Sequence, residues 1–190
     1  MSKEFEGKKI LIGVCGSAKL YKTCSLIEAL REKKARVTPI LTSGGEKFAT
    51  PLLFTGVSKN KCFTNKDFFD HNFTVPQNKE TFTPLHIYLA KYADIIIVAP
   101  ATASFISKLA HGEASELLIA VIVASKAPVC IFPSMNINMW ENPITQENVK
   151  KLRNYGYYIY EPTEEEIAKG IQKGKMPGID KILEVIKKYL

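Results

Sequence analysis

The chain has 190 residues, 46% of them apolar and 24% charged, which is enough apolar material to bury one substantial core. Its net charge of +7 comes from lysines at scattered positions, without the basic stripe and interleaved aromatic residues of a nucleic-acid surface, so we expect no nucleic-acid partner. No apolar run reaches membrane-spanning length, and the cysteines and histidines lack metal-ligand spacing. We therefore expect free thiols in a cytoplasmic protein with no membrane partner and no metal site.

Strand-like and helix-like patterns alternate along the chain. The predicted strands are 9–14, 36–41, 94–99, 127–132 and 157–160, and continuous apolar runs among them are typical of strands covered on both faces. The predicted helices are 20–33, 46–50, 84–92, 104–111, 113–125, 143–154 and 179–190. Because strands separated by helices form parallel sheets, we expect one α/β domain over residues 1–190 with a single doubly wound parallel sheet. The pattern dissolves over residues 59–83, where we expect an irregular loop.

Small and hydroxyl-bearing residues follow three of the predicted strands. After the first strand, Gly16 lets the backbone approach a ligand closely, and Ser17 can donate to a phosphate oxygen. After the second strand, Thr42 and Ser43 either cap a short helix or bind phosphate, and the sequence leaves both interpretations open. Thr102 follows the third strand and precedes an apolar helical pattern. Because the carboxyl ends of parallel strands meet at one edge of a sheet, these turns predict a binding site there.

Residues 133–140 read Pro-Ser-Met-Asn-Ile-Asn-Met-Trp and directly follow a predicted strand. The amide of Asn136 can hold a carboxylate or an amide in a fixed orientation, while Met and Trp supply the apolar wall of a small-molecule pocket. The alternative is a turn in which Met and Trp fill the core and Asn136 caps a helix. The residue types leave both interpretations open.

The three histidines differ in their surroundings. His71 lies in the polar loop, where we expect it to be solvated, and His111 precedes Gly112 at a helix carboxyl end, where an imidazolium is stabilised by the helix dipole. His86 opens a predicted helix just before the third of the turns. It is either an ordinary residue of a first helical turn or a proton shuttle and carboxylate partner, and the pattern does not decide between them.

Four motifs occur in order along residues 8–160. They are Gly16-Ser17 with Tyr21-Lys22; His86-Ile-x-Leu-Ala-x-x-Ala-Asp; Ala99-Pro-Ala-Thr-Ala-Ser with Lys108-Leu-Ala-His-Gly; and Pro133-x-Met-Asn-x-x-Met-Trp-x-x-Pro. Together they resemble the flavin-dependent cysteine decarboxylase family, whose members act in coenzyme A synthesis and in lantibiotic maturation. The resemblance implies a flavodoxin-like three-layer sandwich that binds FMN. It also implies a homotrimer, or a dodecamer of trimers, with the active site between subunits.

The resemblance also implies roles for individual residues. His86 would be the catalytic base, and Asn136 would grip the substrate carboxylate. Residues 163–178 would form a loop that covers the substrate. The cofactor-binding residues would be Gly16, Ser17, Ala18, Thr42, Ser43, Thr102, Ala103, Ser104 and Phe105. The substrate-binding residues would be Met135, Asn136, Met139, Lys169 and Lys175.

Two departures from the family pattern affect these expectations. The family pattern Pro-Ala-Ser-Ala-Asn-Thr is replaced at its end by Ser104 and Phe105, which changes the polar groups offered to a flavin. Lys169 stands where coenzyme A enzymes have a Cys that protonates the enethiol intermediate. Relatives that act on peptides also lack this Cys and stop at the enethiol. Lys169, Lys173 and Lys175 either contact a phosphate or peptide carboxylate or form a basic loop without such a role.

Three functions follow from these features. The first is FMN-dependent oxidative decarboxylation of phosphopantothenoylcysteine, a phosphorylated cysteine conjugate, to phosphopantetheine in coenzyme A synthesis. The second is decarboxylation of a cysteine-ending peptide to an aminoenethiol. The third is a non-catalytic FMN-binding regulatory subunit, against which the presence of both His86 and Asn136 argues.

Overall fold

The structure is a computed structural model that describes residues 5–69 and 83–190. Its framework is a five-stranded sheet with the strand order β2-β1-β3-β4-β5, in which every paired strand is parallel. The strands are β1 (Lys9–Val14), β2 (Arg36–Leu41), β3 (Ile95–Ala101), β4 (Val129–Pro133) and β5 (Tyr158–Ile159). The predicted doubly wound parallel sheet is confirmed.

Ten α-helices occur in the described part of the chain. They are α1 (Tyr21–Glu32), α2 (Ser43–Glu46), α3 (Pro51–Ser58), α4 (Leu85–Tyr92), α5 (Ala103–Ala110), α6 (Leu117–Ala124), α7 (Ile137–Trp140), α8 (Pro143–Asn154), α9 (Glu164–Ala168) and α10 (Ile179–Lys187). A 3-10 helix spans Asn65–Phe69. Among these described residues, no helix is both long enough and apolar enough to cross a membrane.

The sheet is buried on both faces, because alternate residues of each strand enter different cores. Ile96 and Val98 of β3 pack with α4, α5, α6 and α8, while Ile95 and Ile97 pack with α1, α3 and α10. This arrangement is the predicted three-layer sandwich. Helix α6 is apolar throughout and mostly buried, and its Leu118 lies so close to Gly13 of β1 that a Cβ at Gly13 would overlap the leucine side chain.

Several predicted boundaries are corrected by the structure. The short helix predicted at 46–50 lies earlier, as α2 over Ser43–Glu46, because Thr42 accepts a hydrogen bond from the Gly45 N–H and so caps it, and residues 47–50 are not helical. Helix α3 was not predicted, although Pro51 at its first position is a recognised start signal. The helix predicted at 113–125 begins only at Leu117. Strands β3 and β4 run on to Ala101 and Pro133, beyond the predicted ends.

Both predicted loops contain regular structure. The described part of 59–83 includes the 3-10 helix, and Phe63 forms a β-bridge with Ile40 of β2. The rest of that predicted loop, with His71, lies outside the described residues. The predicted loop 163–178 contains α9, for which Thr163 and Glu166 form a capping box.

The strand order places a site at the carboxyl ends of the central strands. From β1 the chain moves outward to β2 and then returns to the other side of β1 to form β3. The connections that leave β1 and β3 therefore diverge, and ligands of open α/β sheets bind in the crevice at this switch point.

Candidate functional site

A cleft of about 320 Å³ opens at the carboxyl ends of β1, β2 and β3. The residues that line it come from the three predicted strand-end turns, from α5, from the start of α6 and from α7. They are Cys15, Gly16, Thr42, Gly44, Thr102, Ala103, Ser104, Phe105, Lys108, Glu116 and Met139. Six of the predicted cofactor residues and one predicted substrate residue are thus brought to one cavity.

The turns after β1 and β2 lie in direct contact. A Cβ built on Gly16 would lie 2.5 Å from the backbone oxygen of Gly44. Only glycine permits this approach, since real Cβ atoms do not come so near a backbone oxygen. The contact fixes the two turns as one wall of the cleft.

The hydroxyl groups of these turns are used in different ways. Ser17 Oγ lies 2.9 Å from Ser134 Oγ, which joins the turn after β1 to the residue that follows β4. Thr42 Oγ1 donates to the Val14 carbonyl at 3.2 Å and accepts from the Gly45 N–H at 3.2 Å. Thr42 therefore acts as a helix cap, one of the two interpretations that the sequence left open.

Thr102 shapes the third turn in the same way. Its Oγ1 accepts a hydrogen bond of 3.2 Å from the Phe105 N–H, so Thr102 caps α5. Ala103 and Ser104 then line the cleft from the first turn of that helix, and the mostly buried Phe105 supplies an apolar wall. This edge of the cleft is apolar, with the Ser104 hydroxyl as its polar group.

The cleft also contains an ion pair that the sequence analysis did not predict. Lys108 Nζ lies 2.6 Å from Glu116 Oε1 and 3.9 Å from Glu113 Oε1. The hydrogen bond to Glu116 raises the pKa of Lys108, which therefore remains an ammonium at neutral pH. Lys108 follows Ser104 by four residues on α5, and this one-turn spacing was the available signal that it shares the cleft face.

The cysteine at the base of the cleft is a buried thiol. Burial raises the pKa of Cys15 to about 12, so the side chain is neutral over the physiological range. Cys15, Cys24, Cys62 and Cys130 are all free thiols, as predicted. Among the described residues, no three histidine, cysteine or acidic side chains are grouped to hold a metal ion.

The segment after β4 combines the two interpretations that the sequence left open. Asn136 is exposed, and its Oδ1 accepts from the Asn138 N–H at 2.9 Å, so it caps α7. Trp140 and Met135 are buried in the core, whereas Met139 is half exposed and lines the cleft. Asn136 does not line the cleft, but its capping bond uses only the carbonyl oxygen, and the side-chain NH₂ can still bind a ligand.

The segment 169–178 packs against the segment that follows β4. The Met135 N–H donates to the Gly174 carbonyl at 2.8 Å, and Gly174 packs so tightly on Trp140 that a Cβ there would lie 2.8 Å from the tryptophan Cβ. Gly174 has a φ of +70°, which L-residues rarely adopt. The family motif and the carboxyl-terminal segment are therefore held together.

The predicted lysine contacts are not at the cleft. Lys169 is exposed and paired with Glu165 one helical turn earlier. Lys175 is half-buried, Ala18 is exposed, and neither lines the cleft. The exposed Ser43 is likewise not among the lining residues, although its neighbours Thr42 and Gly44 are.

His86 is not among the residues that line the cleft. It stands in the first turn of α4, where its ring meets the edge of Phe68 at a centroid distance of 5.4 Å. Its Nδ1 is buried and makes no hydrogen bond within the described part of the chain. A buried ring nitrogen left without a partner costs about 1–3 kcal/mol, so this atom is suited to bind a group from outside the described residues.

The chain has extensive similarity to known proteins. A family model described as Flavoprotein matches residues 1–190. The coenzyme A biosynthesis bifunctional protein CoaBC of Borreliella burgdorferi is 38% identical over 182 residues, which cover 95% of this chain and 44% of that protein. The chain thus spans less than half the length of that relative. A probable phosphopantothenoylcysteine decarboxylase of Streptococcus mutans is 33% identical over 186 residues, covering 96% of this chain and 99% of that protein.

The chain is also similar to solved structures of cysteine decarboxylases. The FMN-dependent cysteine decarboxylase SpaF superposes with a TM-score of 0.79 and 28% identity, covering 98% of this chain and 96% of that one. A phosphopantothenoylcysteine decarboxylase mutant complexed with pantothenoylaminoethenethiol gives a TM-score of 0.77 with 25% identity, covering 97% of this chain and 98% of that one.

Proposed function

The chain belongs to the Flavoprotein family, and on that premise we propose that it binds FMN and decarboxylates a cysteine-derived carboxylate oxidatively. The observation that carries this proposal is the cleft at the switch point, where three strand-end turns meet. One wall offers hydroxyl and backbone groups from the Gly16 and Gly44 turns, and another is apolar at Phe105 and Met139. A cofactor with a phosphate at one end and a flat ring at the other fits this division.

The favoured substrate is phosphopantothenoylcysteine. The probable decarboxylase of Streptococcus mutans has this substrate in its name and matches over nearly the whole of both chains. CoaBC of Borreliella burgdorferi is named for coenzyme A biosynthesis. The net charge of +7 favours an anionic, phosphorylated substrate, although it does not identify one.

The reaction divides between the cofactor and the protein. Bound FMN supplies the two-electron oxidation of the sulfur-bearing carbon, which makes the neighbouring carboxylate easy to lose. His86 would take the proton that this oxidation releases, and the Asn136 NH₂ would hold the carboxylate without adding charge. The neutral amide orients the carboxylate but does not over-stabilise it.

The site would be completed by a second copy of the chain. His86 and Asn136 do not line the cleft, and the His86 Nδ1 makes no hydrogen bond within the described part of the chain. We infer a homotrimer with sites between subunits, which would bring these groups together. Free thiols and the absence of a membrane-spanning helix from the described residues are consistent with the proposed cytoplasmic location.

A second candidate is a peptidyl-cysteine decarboxylase that releases an aminoenethiol. The observation that favours it is Lys169, which replaces the family Cys and lies exposed in an ion pair with Glu165. No other cysteine follows Cys130, so the segment 163–178 has no thiol to protonate an enethiol. The third candidate, a non-catalytic FMN-binding subunit, would not require His86 or Asn136.

The mass of the product distinguishes these functions. Flavin-loaded protein is mixed with phosphopantothenoylcysteine, and the product is weighed by mass spectrometry. Loss of carbon dioxide alone identifies the complete decarboxylase, with a proton donor other than the family Cys. Loss of carbon dioxide and two hydrogens means that the reaction ends at the enethiol. No reaction with this substrate but turnover of a cysteine-ending peptide identifies the second candidate, and no turnover of either contradicts an enzymatic role.

A further inference from the structure

Asn65 joins two elements that are far apart in the sequence. It opens the 3-10 helix and is half-buried between the turn after β2 and the start of α6. Its Nδ2 donates to Ser43 Oγ at 2.7 Å, and its Oδ1 accepts from the Leu117 N–H at 2.9 Å. A backbone N–H can only donate, so the bond to Leu117 fixes the oxygen on that side and directs the NH₂ group to Ser43.

The 3-10 helix holds Asn65 in place. Asp67 accepts hydrogen bonds of 2.8 Å from the Thr64 N–H and 3.0 Å from its hydroxyl, and it pairs with Lys61 at 2.7 Å. Partial burial raises the pKa of Asp67, but the bonds from Lys61 and Thr64 outweigh it and lower the pKa overall. Asp67 is therefore ionised at neutral pH, and its hydrogen bonds and ion pair stabilise the turn that carries Asn65.

This bond determines what the Ser43 hydroxyl can do. Within the described chain, Ser43 Oγ has one hydrogen bond, in which it accepts, so its own hydrogen remains free to donate. The neighbouring Thr42 differs, because its hydroxyl hydrogen is used by the Val14 carbonyl. Ser43 is exposed and stands between two residues that line the cleft, Thr42 and Gly44. Of the two hydroxyls in this turn, only that of Ser43 can donate to an anion.

We propose that Asn65 is a positioning residue that sets the Ser43 hydroxyl as a donor to the phosphate of the cofactor. This inference rests on the proposed binding of FMN and adds a residue that makes no contact with the cofactor itself. The second bond of Asn65 holds the start of α6, where Glu116 reaches into the cleft to pair with Lys108. One side chain thus links the phosphate end of the cleft to its charged end.

Asn65→Asp tests the proposal because the carboxylate keeps the shape and can still accept from the Leu117 N–H. It cannot donate to Ser43, and it draws the serine hydrogen toward itself instead. The affinity of the purified protein for FMN and for riboflavin, which lacks the phosphate, is measured by fluorescence titration. FMN binding weakens about tenfold to a hundredfold, as expected for loss of a hydrogen bond to a charged group, while riboflavin binding is unchanged.

A double-mutant cycle excludes simple repulsion between the new carboxylate and the phosphate. Ser43→Ala alone weakens FMN binding to a similar extent, and adding Asn65→Asp to it causes little further loss. Asn154→Asp, which places the same charge at an exposed position in the last turn of α8, leaves both affinities unchanged.

The outcomes separate this inference from the proposed function. If wild-type protein binds neither FMN nor riboflavin, the proposed function fails. If wild-type protein binds FMN and Asn65→Asp binds it equally well, only the role of Asn65 is overturned. The role is also overturned if the variant weakens riboflavin equally, or if its full effect persists in the Ser43→Ala background. Should Asn65→Asp not fold, Ser43→Ala must still weaken FMN and spare riboflavin.

Discussion

Gly16 is the residue at which the cleft is least tolerant of added atoms. A Cβ there would lie 2.5 Å from the Gly44 carbonyl oxygen, so Gly16→Ala forces the turns after β1 and β2 apart. We expect the variant to bind FMN at least about tenfold more weakly, because the phosphate end of the cleft is disturbed. Equilibrium titration of FMN fluorescence measures the change.

Gly56→Ala is the matched control for this prediction. Gly56 lies within α3, where a Cβ would meet no atom within 4 Å. Alanine in a helix interior is favoured over glycine by up to about 1 kcal/mol, so the control keeps its FMN affinity and gains stability. Equal FMN binding by Gly16→Ala and the wild type would show that the two turns do not form the cofactor site.

Individual site residues were predictable where the residue type itself carries the chemistry. Gly16, Thr42 and Thr102 follow strands, and the structure brings them to one cleft. Ser134 was not predicted as a partner of Ser17, because the two are 117 residues apart and meet only through the register of the sheet. The choice between capping and binding at Thr42 also depended on hydrogen-bond geometry that no residue pattern contains.

At the scale of elements, the carboxyl-terminal segment depends on the fit between Gly174 and Trp140. Gly174→Ala combines an unfavourable φ of +70° with a Cβ that would lie 2.8 Å from the tryptophan Cβ. We expect a loss of about 2–4 kcal/mol in the free energy of unfolding, because both strain and overlap must be relieved. Cleavage within 163–178 by a protease also becomes faster, since the segment detaches from α7.

Gly170→Ala separates these two causes. Gly170 also has a positive φ, of +90°, but a Cβ there would meet no atom within 4 Å. Gly170→Ala therefore introduces the backbone strain alone, and we expect its free energy of unfolding to fall by about 1–2 kcal/mol. Thermal unfolding of the two variants measures the difference. If both variants lose the same stability, contact with Trp140 does not hold the segment.

Clear signals at the ends of an element helped its prediction but did not ensure it, since α3 was not predicted although it begins at Pro51. Helix α8 was predicted with its observed bounds, because Asn142 caps it and Pro143 occupies its first position. Helix α7 has four residues, too few for a helical period to be recognised, so its bounds were not predicted and it entered only as the helix that Asn136 would cap in one of the two open interpretations. Strands β3 and β4 were predicted too short at their carboxyl ends, since Pro100 and Pro133 argued against strand continuation.

At the scale of the whole molecule, we propose that the reacting groups of one site come from more than one chain. Neither His86 nor Asn136 is among the residues that line the cleft. His86→Asn removes the proposed base, and Asn136→Ser removes the amide but keeps a residue able to cap α7. We expect each variant to retain FMN and to lose carbon dioxide release.

Hybrid oligomers test whether one site takes the two residues from different subunits. When the two inactive variants are co-expressed, random assembly leaves roughly a quarter of such sites with both native residues, so about that fraction of activity returns. His111→Asn, at an exposed position with its ring bonded to the Ser107 carbonyl, is a control that keeps full activity alone. No recovery in the hybrids would place His86 and Asn136 of one subunit in the same site.

The fold of the whole molecule was its most predictable feature, whereas its assembly stays a prediction. Apolar strands separated by helices lead to one parallel sheet, and the strand order then creates the cleft. The proposed relation of His86 to the cleft would depend on contacts between chains, which a single sequence does not encode as a pattern.

Binding of FMN to the purified protein is the most direct test of the account. The absorption spectrum of FMN is followed during titration with protein at neutral pH. We expect saturable binding of one FMN per chain, with a shift of the flavin bands on transfer to the partly apolar cleft. A flavin spectrum that remains that of free FMN, and a protein that stays colourless after removal of excess cofactor, would contradict it.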